Sequence, residues 1–210
     1  MTTEVEARFR APGPGPLAYL ATLPRLGRAE LGPAAPSSEV DVYLDTADGA
    51  LAAARWACRL RTRGDRVTLS LKGPPDPATG GWLHRRPEVE GPATEARDPA
   101  AWPPSPAREL LDRLTDGAAL VERFTLHQQR VERDVSDGSH RIGTLSLDTV
   151  DVEHEGAAVG RLHVVELELT AGTEDEGALD PLARELGAVA GLAPEPRTKL
   201  ERAVALIAAL

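Results

Sequence analysis

Eight short runs in which charged and apolar residues alternate one by one constrain the fold of this chain more than any other feature of its sequence. In the first, residues 2–10, Thr3, Val5, Ala7 and Phe9 fall on one face of a strand and Glu4, Glu6, Arg8 and Arg10 on the other, because successive side chains of a strand point to opposite sides. The pattern returns at 40–45, 57–63, 66–72, 85–90, 124–135, 141–151 and 162–170. Arg59 and Arg61 share a face, as do Arg86, Glu88 and Glu90. Lys72 shares a face with Thr68 and Ser70, opposite Leu69 and Leu71; Asp148 opposes Leu145 and Leu147; and Glu166 and Glu168 oppose Val165, Leu167 and Leu169. Strands of this number and spacing predict a large antiparallel sheet or barrel.

Helices interrupt the strands, so the expected class is α+β. In "SPARELLDRLTDG" Ser105 is placed to cap, Pro106 to open and Gly117 to stop a helix, as their backbone preferences require. "DPLARELGAVAG" repeats the order with Asp180, Pro181 and Gly191, and "TKLERAVALIAAL" carries a capping box in Thr198 and Glu201. Gly and Pro mark loops at 11–16, 32–38, 73–81 and 91–106. No repeat and no linker with a composition shift divides the chain, and one domain over 1–210 is expected.

The balance of charge narrows the functional classes. A formal net charge of -9 argues against a general nucleic-acid binder, which needs a basic face. Aromatic residues make up only 3%, leaving little surface for stacking. The lone Cys58 has no partner for an intramolecular disulfide, and no apolar run approaches 18 residues. The expectation is therefore a cytoplasmic protein without membrane or nucleic-acid partners, monomeric or homodimeric. Cys58 opposes Arg59 on its strand and reads as core, and the five histidines show no metal-ligand spacing.

Two arrangements satisfy the strand pattern. The charged faces point to water around an ordinary core, or the sheet closes with the charges inside and helices over its apolar outside. The closed form confines acids and bases where desolvation is costly unless a ligand offsets it. A polyanion with a divalent cation would do so, since carboxylates are hard ligands for Mg²⁺ or Mn²⁺ and Arg and Lys donate to phosphate oxygens.

The ordered set "EVEAR" (Glu4, Glu6, Arg8), "YLDT" (43–46), "RLR" (Arg59, Arg61), "LSLKGP" (Lys72), "RPEVE" (Arg86, Glu88, Glu90), "LD" (Asp148), "VELEL" (Glu166, Glu168) and "TK" (Lys199) resembles the CYTH superfamily of triphosphate tunnel metalloenzymes. The resemblance implies an eight-stranded antiparallel β-tunnel, with helices packed outside, that binds a linear triphosphate and Mg²⁺ or Mn²⁺ in its lumen. It casts Arg8, Arg59, Arg61, Lys72, Arg86, Arg130 and Lys199 as phosphate-binding groups. Free backbone N–H groups at the start of the last helix are expected to reinforce Lys199. Glu4, Glu6, Asp148, Glu166 and Glu168 become metal ligands, with Glu88 and Glu90 organising the tunnel behind them. Glu4, Glu6, Arg8, Lys72 and Lys199 form the catalytic set.

The activity so implied is a metal-dependent triphosphatase acting on tripolyphosphate or a small organic triphosphate. The alternatives are a non-catalytic polyphosphate-binding module and an adenylate cyclase. Arg8 stands where the family usually has Lys, which keeps the binding-module alternative open. Trp56 lies one residue out of phase with a Trp characteristic of the thiamine-triphosphatase branch, a departure that argues against thiamine triphosphate.

Overall fold

The computed structural model describes residues 2–77, 82–170 and 176–210. In chain order the elements are β1 (Thr2–Ala11), α1 (Gly15–Thr22), β2 (Arg25–Leu26), β3 (Ala29–Leu31), β4 (Ala35–Thr46), α2 (Ala50–Ala53), β5 (Ala57–Arg63), β6 (Arg66–Lys72) and β7 (Leu83–Pro92). They continue with α3 (Pro106–Thr115), β8 (Leu120–Asp137), β9 (His140–His154), β10 (Ala157–Leu169), α4 (Leu179–Ala188), β11 (Ala193–Pro194) and α5 (Lys199–Ile207). Eight strands close into an antiparallel barrel in the order β8-β4-β5-β6-β7-β1-β10-β9, with β9 returning to β8. The fold is α+β, and the ring strands are the eight runs of alternation.

Alternation explains the outer cores. Val5, Ala7 and Phe9 of β1 join Leu145, Leu147, Val165 and Leu167 beneath Leu17 and Leu20 of α1 and Leu179, Leu182, Ala183 and Leu186 of α4. Around the barrel, Leu44, Cys58, Leu60, Leu69, Leu71 and Val89 pack with Leu51 of α2, Trp102, and Ala107 and Leu111 of α3. Burying each large aliphatic side chain contributes about 1.5–3 kcal/mol. Cys58 lies in this second core, and burial pushes its thiol up to about 12.

Buried Arg133 ties the α1 corner to the barrel. Its guanidinium donates to the carbonyl oxygens of Leu20 (2.9 Å), Leu23 (2.5 Å), Leu31 (3.0 Å) and Gly32 (2.8 Å). One side chain thereby pairs with four backbone carbonyls of α1, its exit and the end of β3.

Several boundaries differ from expectation. The loop expected over 11–16 gives way at Gly15 to α1, with Pro16 in its opening turn. The loop expected over 32–38 ends early, because β4 begins at Ala35. Pro36 is tolerated there, where β4 pairs only with β8 and a missing N–H is harmless. β7 continues to Pro92, two residues into the expected 91–106 loop. Residues 78–81 of the expected 73–81 loop lie outside the described residues.

Two of the three expected helix caps hold. Ser105 Oγ accepts from Arg108 N at 3.2 Å, and Thr198 and Glu201 form a complete capping box. α4 differs: it starts at Leu179 without a side-chain cap, places Asp180 and Pro181 inside its first turn, and ends at Ala188, short of Gly191.

Candidate functional site

The strand register turns the charged faces inward. Across β1 and β10, Glu6 sits opposite Glu168 and Arg8 opposite Glu166. Glu4 faces Arg86, Lys72 faces Glu88, Arg59 faces Ser70, Asp41 faces Arg61, and Arg130 faces Asp148. Directly paired residues share a face of the sheet, so one inner surface carries them all. Arg10, expected on this face, lies at the exposed end of β1.

A cavity of about 520 Å³ occupies this interior. Of the residues singled out in the sequence, Glu4, Glu6, Arg8, Arg59, Arg61, Lys72, Arg86, Glu88, Glu90, Arg130, Glu166, Glu168 and Lys199 line it. Asp148 does not border the cavity. It is fully buried behind Arg130 and Lys199, which it holds at 2.7 and 2.8 Å (Arg130) and 2.6 Å (Lys199).

The charges are arranged as a continuous lattice of ion pairs. Glu4 accepts from Lys72 Nζ at 2.5 Å and Arg86 Nε at 2.7 Å. Glu6 accepts from Arg8, whose Nε approaches Glu166 at 3.3 Å. Lys199 Nζ also reaches Glu166, at 2.6 Å. Arg59 Nη2 and Lys72 Nζ approach Glu88 at 4.0 and 3.3 Å. Two buried guanidinium atoms, Arg8 Nη1 and Arg59 Nε, have no hydrogen-bond partner among the described residues.

Electrostatics divides the carboxylates. Burial by itself would raise Glu4, but Lys72 and Arg86 hold it well below the ordinary range. Asp148 and Glu166 are likewise held down, first by Lys199, against a desolvation cost of the same kind. Glu6 goes the other way: its burial, with Glu4 and Glu166 nearby, outweighs Arg8 and raises its carboxyl. At the cavity's edge, desolvation and the charge of Glu4 push Glu168 up to about 7, and desolvation with Glu88 raises Glu90. His84 also lines the cavity; burial and Arg8 lower it to about 4, and its Nε2 lies 3.0 Å from Glu195 O.

Some residues of the site escape a reading by sequence. Asp41 is completely buried, binds Arg61 through both oxygens (2.7 and 2.8 Å), approaches Arg59 at 3.3 Å, and accepts from Gln128 Nε2 at 2.7 Å. Glu39, one inward position away, approaches Arg61 at 3.2 Å. The available signal was spacing, since Glu39, Asp41 and Tyr43 are two residues apart on one strand face. Asp45 of "YLDT" turns elsewhere: it accepts from Leu51 N (2.9 Å) and Ala52 N (3.1 Å) and anchors α2. At the start of α5, Glu201 N donates to Thr198 Oγ1 at 3.0 Å and the Glu201 carboxylate accepts from Thr198 N at 2.7 Å. With an acidic group already at that helix end, the free N–H groups expected to reinforce Lys199 are partly committed.

The rest of the interior is apolar. Leu126, Val150, Val152, Leu162 and Val164 share the inward face of β8, β9 and β10, join Tyr43 and Phe124, and pack against Ala203 of α5. Leu200, Leu206 and Ile207 of α5 close over them.

The carboxylates fit a divalent cation by their chemistry. Glu4, Glu6 and Glu168 are hard oxygen donors close enough for each to disturb another's ionisation. Among the described residues, no group of three or more His, Cys, Asp or Glu side chains forms a ready-made ligand cluster. A cation there would share oxygens now turned toward Arg and Lys.

The molecule is a closed antiparallel barrel with a charged lumen, and the family follows from comparison. The CYTH domain model matches residues 2–204, and the chain belongs to the CYTH domain family. No curated protein matches its sequence. Among solved structures, it resembles the adenylyl cyclase candidate HpAC1 from Hippeastrum, described as having a dominant triphosphatase activity, with 20% identity and a TM-score of 0.66 over 96% of this chain and 95% of that one. PH1819 from Pyrococcus horikoshii OT3 is similar at 23% identity and a TM-score of 0.58, over 96% and 98% of the two chains. The Mimivirus capping enzyme triphosphatase shares the fold at 11% identity and a TM-score of 0.52, over 89% of each. At these identities the likeness is one of fold.

Proposed function

We propose that this chain is a divalent-metal-dependent triphosphatase that hydrolyses tripolyphosphate or a small organic triphosphate inside its barrel. The observation that carries this reading is the convergence of Arg8, Arg59, Arg61, Lys72, Arg86, Arg130 and Lys199 on one cavity that also holds Glu4, Glu6, Glu166 and Glu168. A small polyanion would exchange ion pairs within the lattice rather than meet bare charges. Arg8 Nη1 and Arg59 Nε, buried donors without acceptors, would gain partners from phosphate oxygens. The triphosphatase activity named for the Hippeastrum and Mimivirus proteins points in the same direction.

In this reading the basic residues bind and align the phosphate chain, and Asp41 and Asp148 hold four of them in place. Glu4, Glu6, Glu166 and Glu168 would hold Mg²⁺ or Mn²⁺, with Asp148 contributing from behind Arg130 and Lys199. Bound there, the ion would screen phosphate charge and lower the pKa of a coordinated water. Glu88 would keep Lys72 and Arg59 oriented toward the lumen, with Glu90 adding negative charge beside it. Arg8, charged at any working pH, serves as a fixed clamp and not as a proton donor.

The test is phosphate release from tripolyphosphate with Mg²⁺ or Mn²⁺, against an EDTA control. Release that disappears with EDTA and falls about 10–100-fold in Glu4→Gln supports the proposal. Tight binding without turnover under every metal condition replaces it with a phosphate-binding module, and cyclic AMP formed from ATP replaces it with a cyclase.

A further inference from the structure

His84 stands apart from the charged side chains around it. It lies directly opposite Glu6 across β7 and β1 and lines the cavity, so its ring shares the inner face with Glu6 and Arg86. Its Nε2 lies 3.0 Å from Glu195 O. A carbonyl oxygen only accepts, so the ring hydrogen is on Nε2. That carbonyl is itself fixed. Glu195 N donates to Arg8 O at 3.0 Å, and β11, just before it, pairs with Phe9 and Arg10 of β1. Burial and the charge of Arg8 keep the imidazole neutral near neutral pH. Nδ1 is therefore a lone-pair acceptor, and it has no hydrogen bond among the described residues.

Such a nitrogen does not serve phosphate binding. The Arg and Lys side chains of the lumen donate, which suits phosphate oxygens, whereas Nδ1 offers a lone pair that a phosphate oxygen cannot satisfy. Glu4, Glu6 and Glu166 already accept from Lys72, Arg86, Arg8 and Lys199. An acceptor held in one orientation beside them suits an O–H donor, and the small O–H donor that hydrolysis requires is water.

We propose that His84 is a catalytic residue that orients the attacking water, with Nδ1 accepting one O–H while the water oxygen faces the terminal phosphorus. This rests on the triphosphatase reading above. The oxygen bonds to phosphorus as the bond to the bridging oxygen breaks, and the electron pair of that bond leaves with pyrophosphate. The water's other hydrogen passes as a proton to an oxygen of the phosphate under attack, and the O–H held by Nδ1 stays with the product. His84 is neutral throughout, so it aims the nucleophile and does not deprotonate it.

The experiment uses two variants that separate the ring's two nitrogens. The carboxamide of Gln places a donor near the position of Nε2 and leaves no acceptor at that of Nδ1. The carboxamide of Asn places an acceptor near the position of Nδ1 and gives up the tie to Glu195. With tripolyphosphate and Mg²⁺, His84→Gln should lower kcat about 10–100-fold and leave KM within about twofold, the pattern of an interaction made only in the transition state. His84→Asn should keep kcat within about fivefold of the parent chain. ¹⁵N spectra of the histidine rings of the parent chain, recorded without metal near neutral pH, should show His84 neutral with its hydrogen on Nε2. A Gln variant with the parent kcat, an Asn variant that falls as far as the Gln variant, or a ring hydrogen on Nδ1 overturns this role and leaves tripolyphosphate hydrolysis standing. A parent chain that releases no phosphate from tripolyphosphate overturns both this role and the triphosphatase reading.

Discussion

The two halves of the barrel interior obey one geometric rule and meet opposite ends. On β5, β6, β7 and β1 the inward positions carry Arg59, Arg61, Lys72, Arg86, Glu4, Glu6 and Arg8, and the space between them stays open as the cavity. On much of β8, β9 and β10 the inward positions carry Leu126, Val150, Val152, Leu162 and Val164, and α5 fills the space. Alternation decides which way a side chain points; chemistry decides whether the inside becomes core or site. The energetics differ accordingly. Each buried aliphatic group favours closure by about 1.5–3 kcal/mol, while buried ion pairs are close to neutral or costly against apolar replacements. The apolar half, with the two outer cores, holds shut a barrel whose charged half would not close on its own account.

The comparison can be broken most severely at Asp148, where the halves meet. Asp148→Ala removes the bidentate partner of buried Arg130 and one of the two carboxylates that hold Lys199, and urea unfolding should register a loss of about 3–5 kcal/mol. A loss below about 1 kcal/mol would mean that the pair is solvated and the lattice less rigid than described. Leu126→Ala should cost about 2–5 kcal/mol through its cavity. Its effect on the Kd for tripolyphosphate should stay within about threefold, because coupling between separated sites is weak; a larger shift would show that the apolar half shapes the binding site directly.

Two smaller effects sharpen the charged half. Asp41→Asn removes the negative charge that aims Arg59 and Arg61, and the KM for tripolyphosphate should rise about tenfold with kcat little changed. A fall in kcat with KM unchanged, as a smaller folded fraction gives, would assign Asp41 to folding alone. His84 gives the smallest effect and a defined pH window. Its ordinary value of 6.5 falls to about 4 in the folded chain through burial and Arg8, so the native state binds fewer protons than the unfolded state between those values. Stability from neutral His84 is complete above about 6.5 and declines as pH falls toward 4. With its partial exposure discounted, the loss is about 1–2 kcal/mol. His84→Gln should flatten that decline in urea midpoints measured from pH 7 to 4.

The ring strands are legible in the sequence because charged and apolar residues alternate so strictly that register has one solution. The site is legible to the extent that its charges fall within those runs, as Glu4, Glu6, Arg59, Arg61 and Glu166 do. Asp41 hides between Val40 and Val42, where an acidic residue reads equally well as solvent-facing; only its position opposite Arg61 across two strands reveals it. Asp45, in a conspicuous motif, serves a turn instead. α1 hides behind "APGPGP", since Pro in a first helical turn looks like any other loop proline. The apolar inner wall is hidden more deeply. Val150 and Leu162 continue the faces of Asp148 and Glu166, and nothing along a single strand tells where a lumen stops being polar.

The position of β1, between β7 and β10, bears on how the molecule assembles. Its ladder joins Glu4 to Arg86 and Glu6 to Glu168, contacts between residues far apart in the chain, the second of which spans most of its length. Such high contact order places folding on the millisecond-to-second scale. With β1 in the ring, Glu4, Glu6 and Arg8 are out of water, so closing the ring at β1 carries a cost of ion dehydration. Salt and small polyanions should therefore alter the refolding rate of this barrel more than they alter the speed at which its helices form.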